Sequence, residues 1–154
     1  MVLVAMFLGA FVPAAACDDI VTVARLRPNA TAFTHSSGID KAGQFVLRNA
    51  GDWAAIWQRI HSRMSPVPRL PEIDFAHDMM IVVALGRRRS GGHAIRIDQA
   101  WREGETTVVV VRQESRAAGC IVPSAMTSPV DVARLPAAQD PVEFRFESVI
   151  LDCN

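Results

Sequence analysis

Seven consecutive apolar residues, Met79-Met80-Ile81-Val82-Val83-Ala84-Leu85, constrain this chain more than any other segment. A strand with one wet face alternates apolar and polar side chains, because successive residues point to opposite sides. This run does not alternate, so it reads as a strand buried on both faces. Other segments do alternate. Ile95 and Ile97 are separated by Arg96 and followed by Asp98, and Val142, Phe144 and Phe146 are expected inward against Glu143, Arg145 and Glu147 outward. Further strands are expected at Ile20–Leu26, Gln44–Arg48, Thr106–Arg112 with its four valines, and Val130–Leu135 between two prolines. Gly86–Gly92 and Gly104 mark turns.

One helix stands out. Trp53, Ile56, Trp57, Ile60 and Met64 recur at helical spacing and make a single apolar face. Asn49 is placed to cap its start, with Asp52 three residues on, and Pro66 and Pro68 are expected to stop it. The tryptophan pair reads as two core anchors rather than a ligand platform. His61 is expected on the opposite, solvent-facing side. Together these elements give an α+β fold: one main amphipathic helix on a largely antiparallel, strongly twisted or barrel-like sheet of about six to seven strands.

The 154 residues suffice for one domain, and 16 basic against 16 acidic side chains leave no net charge. That balance argues against nucleic acid as a partner. The first 16 residues carry no charge at all and end in Ala14-Ala15-Ala16, which is the form of a cleavable signal peptide, although no basic residue precedes the apolar run. An apolar run of about 11 residues is too short to span a bilayer of roughly 30 Å. Cys17 follows directly, as in a lipoprotein box, so lipidation of Cys17 competes with simple cleavage. The expected organisation is a signal peptide at 1–16, an N-terminal strand and loop at 17–42, and a domain at 43–154 continuous with that loop. The expected location is the periplasm, or the outer membrane through a lipid on Cys17, with no other membrane attachment.

With Cys17 set aside, Cys120 and Cys153 remain as an even pair. An exported chain permits a disulfide between them, and two free thiols are the competing reading. Catalytic signatures are absent: there is no G-x-S-x-G, and Ser124 and Ser128 have no histidine nearby in sequence. Cys120 as a nucleophile paired with His93 is the remaining enzymatic option. His35, His61, His77 and His93 are scattered without metal-ligand spacing, so neither metal nor cofactor is expected. The segment Arg87-Arg88-Arg89-Ser90-Gly91-Gly92-His93 places three cations and two glycines in what reads as a hairpin turn. It is either a solvated charge run or a docking loop for an acidic partner or anionic headgroups.

The stretch Leu70-Pro71-Glu72-Ile73-Asp74-Phe75, the apolar strand ending at Gly86, and Ser90-Gly91-Gly92-His93 resemble the PrcB C-terminal domain family, named for a subunit of a bacterial protease complex. Gly119-Cys120, Thr127-Ser128-Pro129 and Cys153 extend the likeness, which runs from about Phe45 to Cys153. Ser90 and His93 replace the usual Thr and Tyr. The resemblance implies a non-catalytic, lipoprotein-like envelope protein that binds or stabilises a protease, and it carries over no catalytic residue. A small exported hydrolase and a protease inhibitor are the alternatives.

Overall fold

A computed structural model describes residues 19–26 and 35–153. The expected signal peptide at 1–16 and the expected lipidation site Cys17 lie outside the described residues. Strands follow in the order β1 (Asp19–Ile20), β2 (Ala24–Arg25) and β3 (Gly43–Leu47), then the helix α1 (Ala50–Ile60). After it come β4 (Asp78–Ala84), β5 (His93–Glu103), β6 (Thr106–Arg116), β7 (Val130–Pro136) and β8 (Val142–Leu151). They form two four-stranded sheets, ordered β1-β5-β6-β8 and β2-β7-β4-β3.

This corrects the expected α+β fold. The chain is mostly β, two sheets rather than one helix on a single sheet of six or seven strands, and α1 has only 11 residues. The apolar strand β4 shows why two sheets are needed. Met80, Val82 and Ala84 face a cluster built by Trp53, Ile56, Trp57 and Ile60 of α1. Met79, Ile81 and Val83 face a second cluster, with Ile95, Ile97, Val109 and Val111 of the other sheet. Each face of β4 therefore has its own cover, and the molecule is layered helix, sheet, sheet.

Local chemistry sets the elements. The side chain of Asn49 accepts from the Asp52 amide at 2.9 Å, which satisfies one of the free donors at the start of α1. The helix ends at Ile60, well before Pro66. The Ile60 carbonyl accepts from Gly38 N–H at 2.9 Å, and a Cβ on Gly38 would collide with the Arg59 carbonyl. A glycine must therefore pass there, and Met64 falls outside the helix. The indole N–H groups of Trp53 and Trp57 donate to the Pro71 and Pro68 carbonyls, which holds the proline-rich return against the helix. His61 is buried, not solvent-facing. It is four residues after Trp57 and so shares its face; the two rings lie 4.1 Å apart, and His61 Nδ1 is 2.9 Å from the Trp57 carbonyl.

Ile20–Leu26 is not one strand. β1 pairs with β5 and β2 with β7, so this short segment crosses from one sheet to the other. Nor are all pairings antiparallel: β6 and β8 run parallel, from Thr107↔Val142 to Arg116↔Leu151. β5 carries a bulge between Ile97 and Gln99. There the Ile97 amide donates to Asp131 of β7 at 2.8 Å, and its carbonyl accepts from Arg25 Nε of β2 at 3.1 Å. Two charged side chains of one sheet thus complete the backbone hydrogen bonding of the other.

Candidate functional site

The segment Arg87–His93 is not a hairpin, because β4 and β5 belong to different sheets. It is a crossover strapped down along its length. Arg87 N–H donates to the Asp40 carbonyl at 3.0 Å, and Arg88 exchanges two backbone hydrogen bonds with Thr127, at 2.7 and 3.0 Å. The Ser90 carbonyl accepts from the Thr127 hydroxyl at 3.0 Å, and Gly91 N–H donates to the Pro123 carbonyl at 2.8 Å. The three guanidinium groups do not act as one cluster. Arg87 lies 3.7 Å from Asp40, which also binds Arg63 at 2.6 Å. The hydrogen bond from Arg63 is the largest cause holding the Asp40 carboxyl below its ordinary value, with Arg87 adding to it.

The last residues of the crossover enter a cleft of about 570 Å³. Its floor is the end of the β5-β6-β8 sheet: Ala94, Glu114, Arg116 and Leu151. One side is Gly92 and His93, with His35 nearby, and the other is the loop Gly119–Pro123 with the cysteines. Cys120 and Cys153 are joined in a disulfide, with Cα atoms 5.2 Å apart. Two glycines shape the walls. Gly119 has φ of +90°, in a turn closed by Cys120 N–H to the Ala117 carbonyl at 3.2 Å. Gly92 has φ of +101°, and a Cβ there would stand 2.6 Å from Val122 Cγ1. The crossover and the cleft loop therefore pack backbone against side chain.

The cleft combines polar and apolar surface. Glu114 and Arg116 supply opposite charges on the floor, and His35 and His93 are also among the lining residues. Ile121 is fully exposed, at 102% of its reference area, on a loop anchored by the neighbouring Cys120. A single exposed apolar side chain is ordinary on a protein surface, and what distinguishes Ile121 is its place among the residues that line the cleft. With its sulfur bonded to Cys153, Cys120 is not a thiolate, so the Cys120–His93 nucleophile pair is ruled out. Among the described residues no group of three metal-ligating side chains converges, and no helix is long and apolar enough to cross a membrane.

Of the residues singled out in the sequence, Gly92, His93, Cys120 and Cys153 come together in the cleft. Arg87, Arg88, Arg89, Ser90 and Gly91 lead up to it without lining it. Sequence reasoning missed Glu114, Arg116, Leu151 and the loop Ile121-Val122-Pro123. The signal was present in the last of these, since an apolar run directly after a bridged cysteine has little reason to sit in a solvated loop.

Residues 79–136, a little over a third of the chain, match the model of the family described as PrcB C-terminal. This segment belongs to the PrcB C-terminal family. No curated protein and no solved structure matches the chain. The PrcB C-terminal segment runs from β4 through β7. It contains His93, Glu114, Arg116 and the Ile121 loop, whereas Leu151 and Cys153 lie beyond it. The disulfide therefore fastens the PrcB C-terminal segment to the strand that follows it.

Proposed function

We propose that the protein is a non-catalytic, partner-binding subunit associated with a protease of the bacterial envelope. The observation that carries this is the cleft: a fully exposed isoleucine on a loop held by a disulfide, beside a charged floor, within the segment that matches the PrcB C-terminal family. A loop ordered in advance loses little conformational freedom on binding, so its apolar side chain contributes most of its burial to affinity. The occupant is a protein segment that covers Ile121 and meets Glu114 and Arg116 with complementary polar groups. The effect on the protease is stabilising, and the subunit protects its partner from loss.

The test is affinity capture of peptidase activity from envelope extract, comparing the parent protein with Ile121→Asp. Burying that aspartate without a partner costs several kcal/mol at an interface centre, so at least a tenfold loss of captured activity is expected. Equal capture would remove the cleft from the reading. The triple substitution of Arg87, Arg88 and Arg89 by Ser is expected to leave capture intact, because none of the three lines the cleft. Survival of the captured protease, followed with and without the subunit, separates a stabiliser from an inhibitor by the sign of the effect.

Export with a lipid on Cys17 completes the reading. A disulfide such as Cys120–Cys153 belongs to an oxidising compartment, and Cys17 stands directly after a run of three alanines. The protein is then held at the periplasmic side of a membrane by acyl chains alone. Mass spectrometry of the mature N-terminus is expected to find an acylated Cys17. A chain beginning there without acyl groups would leave a soluble periplasmic protein.

A further inference from the structure

Strand β8 is the outer strand of its sheet and has 10 residues. Among the described residues no strand pairs with its far side. Two hydrogen bonds settle which of its backbone groups remain available. The Pro141 carbonyl accepts from Thr107 N–H at 2.9 Å, and the Leu151 carbonyl accepts from Ala117 N–H at 2.9 Å. Odd-numbered residues therefore direct their backbone groups to β6, and the even-numbered ones, Val142 to Ile150, direct theirs to the free edge. No proline interrupts the strand, and two of its large apolar side chains are exposed, Phe146 at 45% and Ile150 at 71%. A long edge strand with exposed aromatic and aliphatic side chains on one face is one that folded proteins generally cover, and its charged residues Glu143, Arg145 and Glu147 all belong to the other face.

We propose that β8 pairs antiparallel with β8 of a second copy of this chain, about a twofold axis through Phe146. The strand is complementary to itself in that register. Phe146 meets Phe146 of the second copy, and Ile150 meets Val142, so the exposed apolar side chains cover one another. On the other face Arg145 meets Glu147. Arg145 already donates Nε to Glu143 and Nη2 to Glu103, both at 2.8 Å, and its Nη1 has no protein partner among the described residues. The register also uses the available backbone groups of every even-numbered residue from Val142 to Ile150. Opposition of unlike charges across a twofold is a property of an isologous interface, and an unrelated partner strand would not require it. None of the residues Val142 to Ile150 lines the cleft, so the proposal stands or falls independently of the function proposed above.

Sedimentation of the protein purified after expression of the full chain is expected to give twice the chain mass at submillimolar concentration. Glu147→Arg sets a second guanidinium opposite Arg145, twice per dimer, and is expected to weaken association about tenfold. Adding Arg145→Glu restores the unlike pairs and is expected to restore the dimer. Ser148→Pro removes an edge donor that β6 does not use, so the fold survives while the dimer is lost. As a register test, Phe146→Cys is expected to crosslink two chains on oxidation, since directly opposed residues have Cα atoms about 5.5 Å apart. Ser148→Cys, offset from its own copy along the strand, is expected not to crosslink. A monomer at every concentration, or failure of the double charge exchange to restore what Glu147→Arg lost, overturns the proposal.

Discussion

Asp131 sits between the two sheets with its side chain almost fully buried, and its carboxylate serves both of them. It accepts from Ile97 N–H at 2.8 Å and lies 3.7 Å from Arg25. Burial is the largest influence on its carboxyl and pushes it above the ordinary 3.8, against the opposing pull of the Ile97 amide and Arg25. Folding therefore favours the protonated form. Its contribution to stability is complete below pH 3.8 and is lost as pH rises through the raised folded-state value. Asp131→Asn keeps an acceptor for Ile97 and discards the dry charge, so its stability relative to the parent protein should improve as pH rises from about 4 to 7. Asp131→Ala leaves the Ile97 amide without a partner and should cost about 1–3 kcal/mol at neutral pH. Denaturant unfolding of the three proteins at several pH values checks both. An asparagine variant that loses ground with rising pH would show that the Arg25 pairing outweighs the burial.

At the level of elements, what could be read from the chain and what could not divide along the difference between local and distant pairing. The apolar run Met79–Leu85 has both faces buried as its pattern requires, because burial on two sides leaves no position for a polar residue. The Asn49 cap and the Trp53–Ile60 face were equally legible, since both depend on neighbours three and four residues away. The segment Ile20–Leu26 was not. Val21 and Val23 alternate as a single strand would, and nothing in that alternation tells that the chain changes sheets between them. The same holds for Arg87–Gly92, whose glycines announce a turn without saying that the strands on either side are strangers. The parallel pairing of β6 with β8 depends on β7 being placed in the other sheet between them. His61 was as legible as the helix face and was misplaced by miscounting, since it stands four residues after Trp57 and eight after Trp53, both spacings that fall on the buried face. In the cleft, Gly92, His93 and the cysteines were legible as unusual residues. Glu114, Arg116 and Leu151 were not, because each is an ordinary strand position until the ends of three strands meet.

For the molecule as a whole, the disulfide is the link that ties the end of the chain back to the cleft. Cys120 and Cys153 are 33 residues apart, and in the chain-entropy account a loop of that size stabilises the fold by about 3–4 kcal/mol. The two layers of core do not depend on it, because Met80 and Val82 on one side and Ile81 and Val83 on the other are packed without either cysteine. The loop Gly119–Pro123 does depend on it, although Gly91 N–H to the Pro123 carbonyl at 2.8 Å remains as a tether. Replacing both cysteines by serine should therefore have two separable effects. Global stability should fall by roughly the loop-closure amount, read as an earlier denaturant midpoint with a somewhat steeper slope, because the unfolded chain is no longer cross-linked and exposes more surface. Amide exchange at Ile121 and Val122 should quicken well beyond what that global loss explains, while exchange in β4 follows global unfolding alone. If the two regions quicken equally, the loop is held by its packing on Gly92 and the disulfide serves only the fold. If the loop quickens beyond β4, the bridge is what presents Ile121, and reducing conditions should abolish partner capture while the sandwich stays folded.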